Sequence, residues 1–321
     1  MQFVIFAPPY DYTRRAYDEI IDDGDIHYIN YFVDSNNKII RLLSHLCYSK
    51  YEKYLPLKKS FWNPFHFIEK SKRNDNQYIF LFYDGLATRY MTDGSNYITY
   101  LKRKYASAKF VWYTVNPMHG RETNLEKEKS IFDVLITFDS YDSDRYDIAY
   151  YPNFMSEINV ETDNEIEASD VYFLGAAKDR LEILLQVYDY LSEAGLKCIF
   201  VITGVTKTNV IYRPGIIYCN GISYYENIKY IKKTKCILEI VNEGQNGSTL
   251  RTMESIIYNK KLITNNYSLR NQDYYIEDNM LFLSQIDNIN DFLKKEVIIN
   301  DSIRAKIRPR SFLNFVKKCC S

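Results

Sequence analysis

The chain has 321 residues, 46% hydrophobic and 26% charged, and its 41 lysines and arginines balance 41 aspartates and glutamates to a formal net charge of zero. That length exceeds one typical core and suits two domains of roughly 100 to 150 residues each, while the balanced charge removes any global pull toward nucleic acid or membrane. No apolar run reaches the roughly 18 to 20 residues of a membrane span, and MQFVIFAPPY lacks the layout of a signal peptide, so a cytoplasmic protein is expected.

In chain order, QFVIFAPP, HYINYFV, QYIFLFYDG, KFVWYTVNP and DVLITFD read as buried strands. Amphipathic segments such as IIRLLSHLCYSKYEKY and YITYLKRKY lie between them. Near-continuous apolar strands alternating with helices predict a parallel sheet covered on both faces, hence a doubly wound α/β domain. The stretch 62–76, WNPFHFIEKSKRNDN, is less regular and reads as a loop or lid. Residues 155–170, MSEINVETDNEIEASD, are acidic and poor in apolar residues, and mark the expected boundary. This gives domains over 1–160 and 161–300 and a helical tail over 301–321.

The pattern restarts with VYFLG, a helix over 179–194 stopped by Gly195, and the strand KCIFVI. Leu181, Leu184, Val187, Tyr188 and Leu191 share one face of that helix. Ser223 and Glu226 have capping-box spacing ahead of KCILEIV. The six cysteines form no C-x-x-C pair and three sit in apolar runs, so they read as reduced core residues. The four histidines form no ligand cluster, and no D-x-D triplet directly follows a strand.

The run KCILEIVNEGQNGSTLRTMESIIYNKKLITNN then parses as strand, loop, helix, strand. Asn246, Gly247 and Ser248 permit a tight turn, Ser248 or Thr249 can cap the helix, and Asn259 can stop it. Leu250, Met253 and Ile257 share the face that packs on the sheet. A strand-to-helix junction lies at the carboxyl edge of the sheet, where amide N–H groups and the helix dipole suit a phosphate. Arg251 could add a fixed cation there, and Glu254 could accept a ribose hydroxyl. An i,i+3 pair of this kind is equally compatible with a solvated surface ion pair.

The segment Glu254-Ser-Ile-Ile-Tyr-Asn-Lys-Lys-Leu-Ile-Thr-Asn-Asn resembles the donor-site segment of GT-B glycosyltransferases, and GQNGSTLRTME is similar to the variant found in bacterial capsule and lipopolysaccharide biosynthesis enzymes. Asn259 stands where glycine is commoner and Lys261 where proline is commoner. The spacing from Glu243 to Glu254 is lengthened. VYFLGAAKDR adds a second match, in which Gly175, Lys178 and Arg180 resemble the glycine-basic turn that faces the donor pyrophosphate. The resemblance implies two Rossmann-like domains facing across a cleft, with the nucleotide sugar, a UDP-sugar, on the second. Gly175, Lys178, Arg180, Asn246, Gly247, Ser248, Thr249, Arg251 and Glu254 would hold it, with no metal and no cofactor beyond the donor.

The acceptor, a glycan or lipid-linked sugar of surface polysaccharide synthesis, should then meet strand ends of the first domain: residues 8–14, Asp84 with Gly85, and residues 116–119. Asp84 is the preferred general base and His119 the alternative. The tail RAKIRPRSFLNFVKKCCS is basic with apolar residues between, which fits contact with the inner face of a membrane or a helix that docks across the domains and packs back on the first. Two other readings share this architecture: a sugar-nucleotide epimerase, and an inert nucleotide-sugar or carbohydrate-binding partner of a polysaccharide assembly complex.

Overall fold

The structure is a computed structural model and describes residues 1–29, 37–47, 58–68, 77–92, 94–118, 125–161, 166–242 and 246–321. The chain divides into two compact units. Residues 1–137, 142–151 and 313–321 form the first, and residues 138–141 and 152–312 the second.

The first unit runs β1 (Gln2–Phe6), α1 (Asp11–Arg15), β2 (Ile26–Ile29), α2 (Lys38–Cys47), α3 (Asn63–His66), β3 (Tyr78–Tyr83), α4 (Asp84–Thr92), α5 (Tyr97–Lys104), β4 (Lys109–Thr114), α6 (Leu125–Ile131), β5 (Val134–Thr137), α7 (Ser140–Tyr146), of which residues 140–141 belong to the second unit, and β6 (Ala149–Tyr150). Among the described residues its sheet has the order β2-β1-β3-β4-β5-β6, every pair parallel. All six residues of β3 are buried, as an apolar run covered on both faces requires. Phe6, Phe80, Phe82, Tyr90, Tyr97 and Trp112 fill the core on one side of that sheet.

The second unit runs β7 (Ser169–Ala176), α8 (Leu181–Glu193), β8 (Cys198–Thr203), β9 (Ile216–Cys219), α9 (Tyr224–Lys233), β10 (Thr234–Glu239), α10 (Leu250–Ile257), β11 (Lys261–Thr264), β12 (Met280–Phe282), α11 (Ile289–Lys294), α12 (Asp301–Lys306) and α13 (Pro309–Cys319), of which residues 313–319 belong to the first unit. The sheet order is β12-β11-β10-β7-β8-β9, again parallel throughout. Both units are therefore doubly wound, and each sheet reverses its winding beside its first strand, between β1 and β3 and between β7 and β10. Such reversals open the crevice where α/β sheets receive ligands.

Local signals act where the sequence places them. Gly195 ends α8 at φ 81° and Asn259 ends α10 at φ 52°, both left-handed. Ser223 Oγ accepts the Glu226 N–H at 3.1 Å, and Thr249 caps α10 by accepting the Arg251 N–H at 3.0 Å.

Two expectations change, and the tail takes the docked of its two forms. The boundary does not lie at 155–170, because Met155, Ile158 and Val160 are buried in the core of the second unit with Tyr224, Ile228 and Tyr274. The tail is no free basic segment: Phe312, Leu313 and Val316 are fully buried, Phe312 stacks on Phe154 at 4.3 Å, and Phe315 lies 4.9 Å from Tyr151. Its apolar face is thus spent on the protein itself. The predicted lid begins with a 3-10 turn (Lys59–Trp62) and α3, where Asn63 and His66 are buried, while 69–76 lies outside the described residues.

Candidate functional site

At the reversal point of the second sheet, β7 and β10 run side by side with Cys236 opposite Val171 and Ile237 opposite Tyr172. Gly175 sits near the end of β7, where a Cβ would stand 2.9 Å from the Phe173 ring, so the strand tolerates no side chain there without shifting that ring. The chain then turns through Lys178, exposed and left-handed at φ 46°, to Arg180, the residue capping α8. Arg180 donates to the carbonyls of Ile240 and, at 2.7 Å, Ala176, joining the ends of both strands. Burial lowers its pKa, and its Nε has no hydrogen-bond partner, so a cation with unmet donor capacity lies at the strand ends.

The loop before α10 is built around two carboxylates that the sequence reading missed. Asp139, buried, accepts the N–H groups of Gly247 at 2.8 Å, Asn246 at 3.3 Å and Tyr141 at 2.9 Å. The two loop amides expected to meet a phosphate are therefore already satisfied by a carboxylate of the protein. Gly247 is the residue this approach demands, since a Cβ would lie 2.4 Å from the Phe138 ring. Ser248 is buried and structural: its Oγ accepts the Asn153 N–H at 3.2 Å, and its carbonyl accepts from the Asn153 amide. Asn266 donates to the Gly247 carbonyl at 3.1 Å.

Glu239, the last residue of β10 and buried, receives three hydroxyls. Thr249 and Thr252 donate to Oε1, the latter at 2.5 Å, and Thr264 donates to Oε2 at 2.5 Å. One carboxylate thereby fixes β10, β11 and the first turn of α10. The legible signal was a lone acid in the apolar run KCILEIV, since buried carboxylates are seldom left unpaired.

Arg251 and Glu254 form a pair, but neither on an open surface nor as free ligands. Their side chains are 13% and 0% exposed, with Arg251 Nη1 2.8 Å from Glu254 Oε2. Arg251 also donates to Asn227 Oδ1 at 3.1 Å, Asn227 donates to Glu254 Oε1 at 2.9 Å, and Tyr172 OH donates to Asn227 at 3.0 Å. Burial raises the Glu254 pKa, against which the Arg251 charge and hydrogen bonds from Tyr224 and Asn227 act. Asn227 carried no sequence signal, because it reaches this cluster from α9.

In the first unit Asp84 opens α4 beside the reversal point. It accepts the Gly85 N–H at 2.7 Å and the Thr114 hydroxyl at 3.1 Å, so it serves as a cap as well as standing at a strand end. Glu128 on α6 was overlooked within the charged run LEKEKS. It is buried, its Oε2 has no hydrogen-bond partner, and burial, together with the nearby Asp84 charge, raises its pKa. His119 and Glu243 lie outside the described residues. The spelling Asp142-Ser-Asp144 falls inside α7, where Asp142 is buried and accepts the Met118 N–H at 2.7 Å. Among the described residues no three His, Cys, Asp or Glu side chains gather as a metal set, and no helix is long and apolar enough to cross a membrane.

The sequence matches no protein family profile and no curated protein. Solved structures do match over the whole chain. An α-glucosyltransferase in complex with UDP and DNA aligns over 100% of this chain and 99% of its own, with TM-score 0.55 and 13% identity. The catalytic domain of starch synthase IV from Arabidopsis thaliana, bound to ADP and acarbose, aligns over 100% and 98% with TM-score 0.55 and 8% identity. A spinosyn rhamnosyltransferase complexed with thymidine diphosphate aligns over 99% and 100% with TM-score 0.51 and 6% identity. The chain has the α/β, two-domain Rossmann-like fold of these glycosyltransferases, the GT-B fold.

Proposed function

We propose that the protein is a glycosyltransferase that moves a sugar from a nucleotide-sugar donor, a UDP-sugar, to a glycan or lipid-linked acceptor of surface polysaccharide synthesis. The observation that carries this reading is the convergence, at the reversal point of the second sheet, of the Gly175–Lys178–Arg180 turn with the N-terminus of α10. That the three structural neighbours named above hold UDP, ADP or thymidine diphosphate supports a nucleoside diphosphate as the leaving group.

In the reaction the bond from the anomeric carbon to the diphosphate breaks, its electron pair leaving with the phosphate. The acceptor oxygen bonds to that carbon, and its proton passes to a base. Lys178, Arg180 and the start of α10 supply positive charge for the departing diphosphate. Asp84 is the proposed base. Glu254 reads the ribose in this scheme by exchanging Asn227 or Arg251 for ribose hydroxyls, since it is fully enclosed without them. The enclosure of Arg251 and Glu254 is also the observation that favours the rival reading, an inert binding partner. Incubation with a panel of nucleotide sugars and acceptor glycans, with product detection and calorimetric binding, separates the two. Transfer from one donor is expected. Binding without turnover across the panel would support the inert partner, and neither binding nor turnover would remove both readings.

A further inference from the structure

We infer that the outer edge of the second sheet carries a binding site for a short neutral oligosaccharide, separate from the donor site. β12 is the edge strand of that sheet and has three residues, so one side of its backbone has no neighbouring strand among the described residues. The chain before and after it builds two walls. The crossover from β11 supplies the 3-10 turns Tyr267–Asn271 and Glu277–Asn279, and the segment after β12 supplies the turn Leu283–Asn288 and then α11. Between the walls lies a groove of about 630 Å³, lined at its base by buried Met280, Leu281 and Phe292. That volume falls within the roughly 300 to 1,000 Å³ of small-molecule sites. The donor site begins two strands away, at the carboxyl end of β10.

Side-chain chemistry decides the occupant. Tyr275, half-buried and with its ring 6.0 Å from that of Phe282, offers an apolar face on which the C–H side of a sugar ring can stack. Arg270 lies 4.4 Å over the same Phe282 ring, which holds its planar guanidinium in place. Glu277, Gln285, Asn288 and Asp291 line the groove with exposed side chains, and the Asn288 amide is not spent on capping α11. Carboxylates accept from sugar hydroxyls, a guanidinium donates to them, and the two amides do both. A phosphate or nucleotide is disfavoured, because the groove is lined by three acidic side chains against two basic ones, and Lys295 is already held by Asp278 at 2.8 Å. A peptide strand is disfavoured too, since β12 offers only three residues and the Met280 N–H already donates to the Glu277 carbonyl. The inference rests on this groove and stands whether or not the chain transfers sugars.

With UDP present throughout, the full chain is to be applied to a printed array of neutral and phosphorylated oligosaccharides, and the tightest binder taken to calorimetry. At least one neutral oligosaccharide should bind saturably. The pair Gln285→Ala and Asn288→Ala should weaken that binding at least about tenfold at unchanged Tm and unchanged UDP affinity, since two exposed amides leave the groove. Glu277→Gln, which removes only a charged acceptor, should weaken it about fivefold or more. Absence of any neutral binder, or a binder that these variants hold as tightly as wild type does, would refute the proposal. So would a preference for phosphorylated sugars that Glu277→Gln strengthens, which would mark an anion site. Should the alanine pair lower Tm, Glu277→Gln decides alone, and unchanged affinity there overturns the inference. A chain that binds the oligosaccharide but not UDP would support this site and remove the transferase reading alone.

Discussion

Replacing Glu239 by glutamine tests whether the α10 junction is built on one carboxylate. Three hydroxyls point at it, two from the start of α10 onto Oε1 and one from β11 onto Oε2, and Thr264 is also its register partner across β10 and β11. A hydrogen bond to a charged acceptor is worth roughly 1.5 to 3 kcal/mol, and the unmet buried partner adds desolvation. Glutamine keeps the size but presents an NH2 group on one side, so one hydroxyl must turn to accept and the other two face a neutral oxygen. The expected loss is about 2 to 3 kcal/mol. Alanine removes all three partners and costs about 4 to 6 kcal/mol, comparable with the whole stability of many domains. Urea unfolding followed by circular dichroism should show a lower midpoint for the transition of the second unit, and UDP titration should show weaker binding because the first turn of α10 loosens. A Glu239→Gln protein with an unchanged midpoint and unchanged UDP affinity would refute this account.

Arg251→Met should leave Glu254 buried without its cation, costing about 3 to 5 kcal/mol at pH 8. The Glu254 pKa is already raised in the folded state by burial, so the stability gained from its neutral form is fully present below the unfolded value of about 4.5 and is lost as pH rises through the folded value. Without Arg251 that value climbs further, so the defect should shrink from pH 8 toward pH 5, and urea midpoints across that range check the sign. Asp84→Asn retains acceptors for Gly85 and Thr114, so the fold should persist while kcat falls about 10² to 10⁴ at normal UDP affinity; nearly full kcat would reduce Asp84 to a cap. Burial pushes the Cys198 and Cys320 thiols up to about 12, and Cys47 and Cys236 are buried as well, so a disulfide reagent should label Cys219 and Cys319 first under native conditions. Rapid labelling of all six thiols would contradict that burial.

The strands of both sheets and the stops of α8 and α10 were legible in sequence because the signals are local: an apolar run bounded by turns, a Gly195 or an Asn259 free to turn left-handed. The turn that carries Lys178 and Arg180 was legible for the same reason, at the end of VYFLG. What the sequence withheld depends on residues that meet only after folding. Asp139 lies 107 and 108 positions from the amides of Asn246 and Gly247 that it holds, and no pattern in FDS foretells it. The spacing of Arg251 and Glu254 announced an ion pair but not its burial, which Asn227, 27 positions before Glu254, and Tyr172 bring about. The basic apolar tail and α2 make the same point in opposite directions. Both read as amphipathic helices, and composition states how much apolar surface a helix has. Only the packed structure decides whether that surface turns inward, as at Phe312 and Val316, or outward, as at Ile39 and Leu42, because a neighbour must supply matching apolar area before burial can stabilise it.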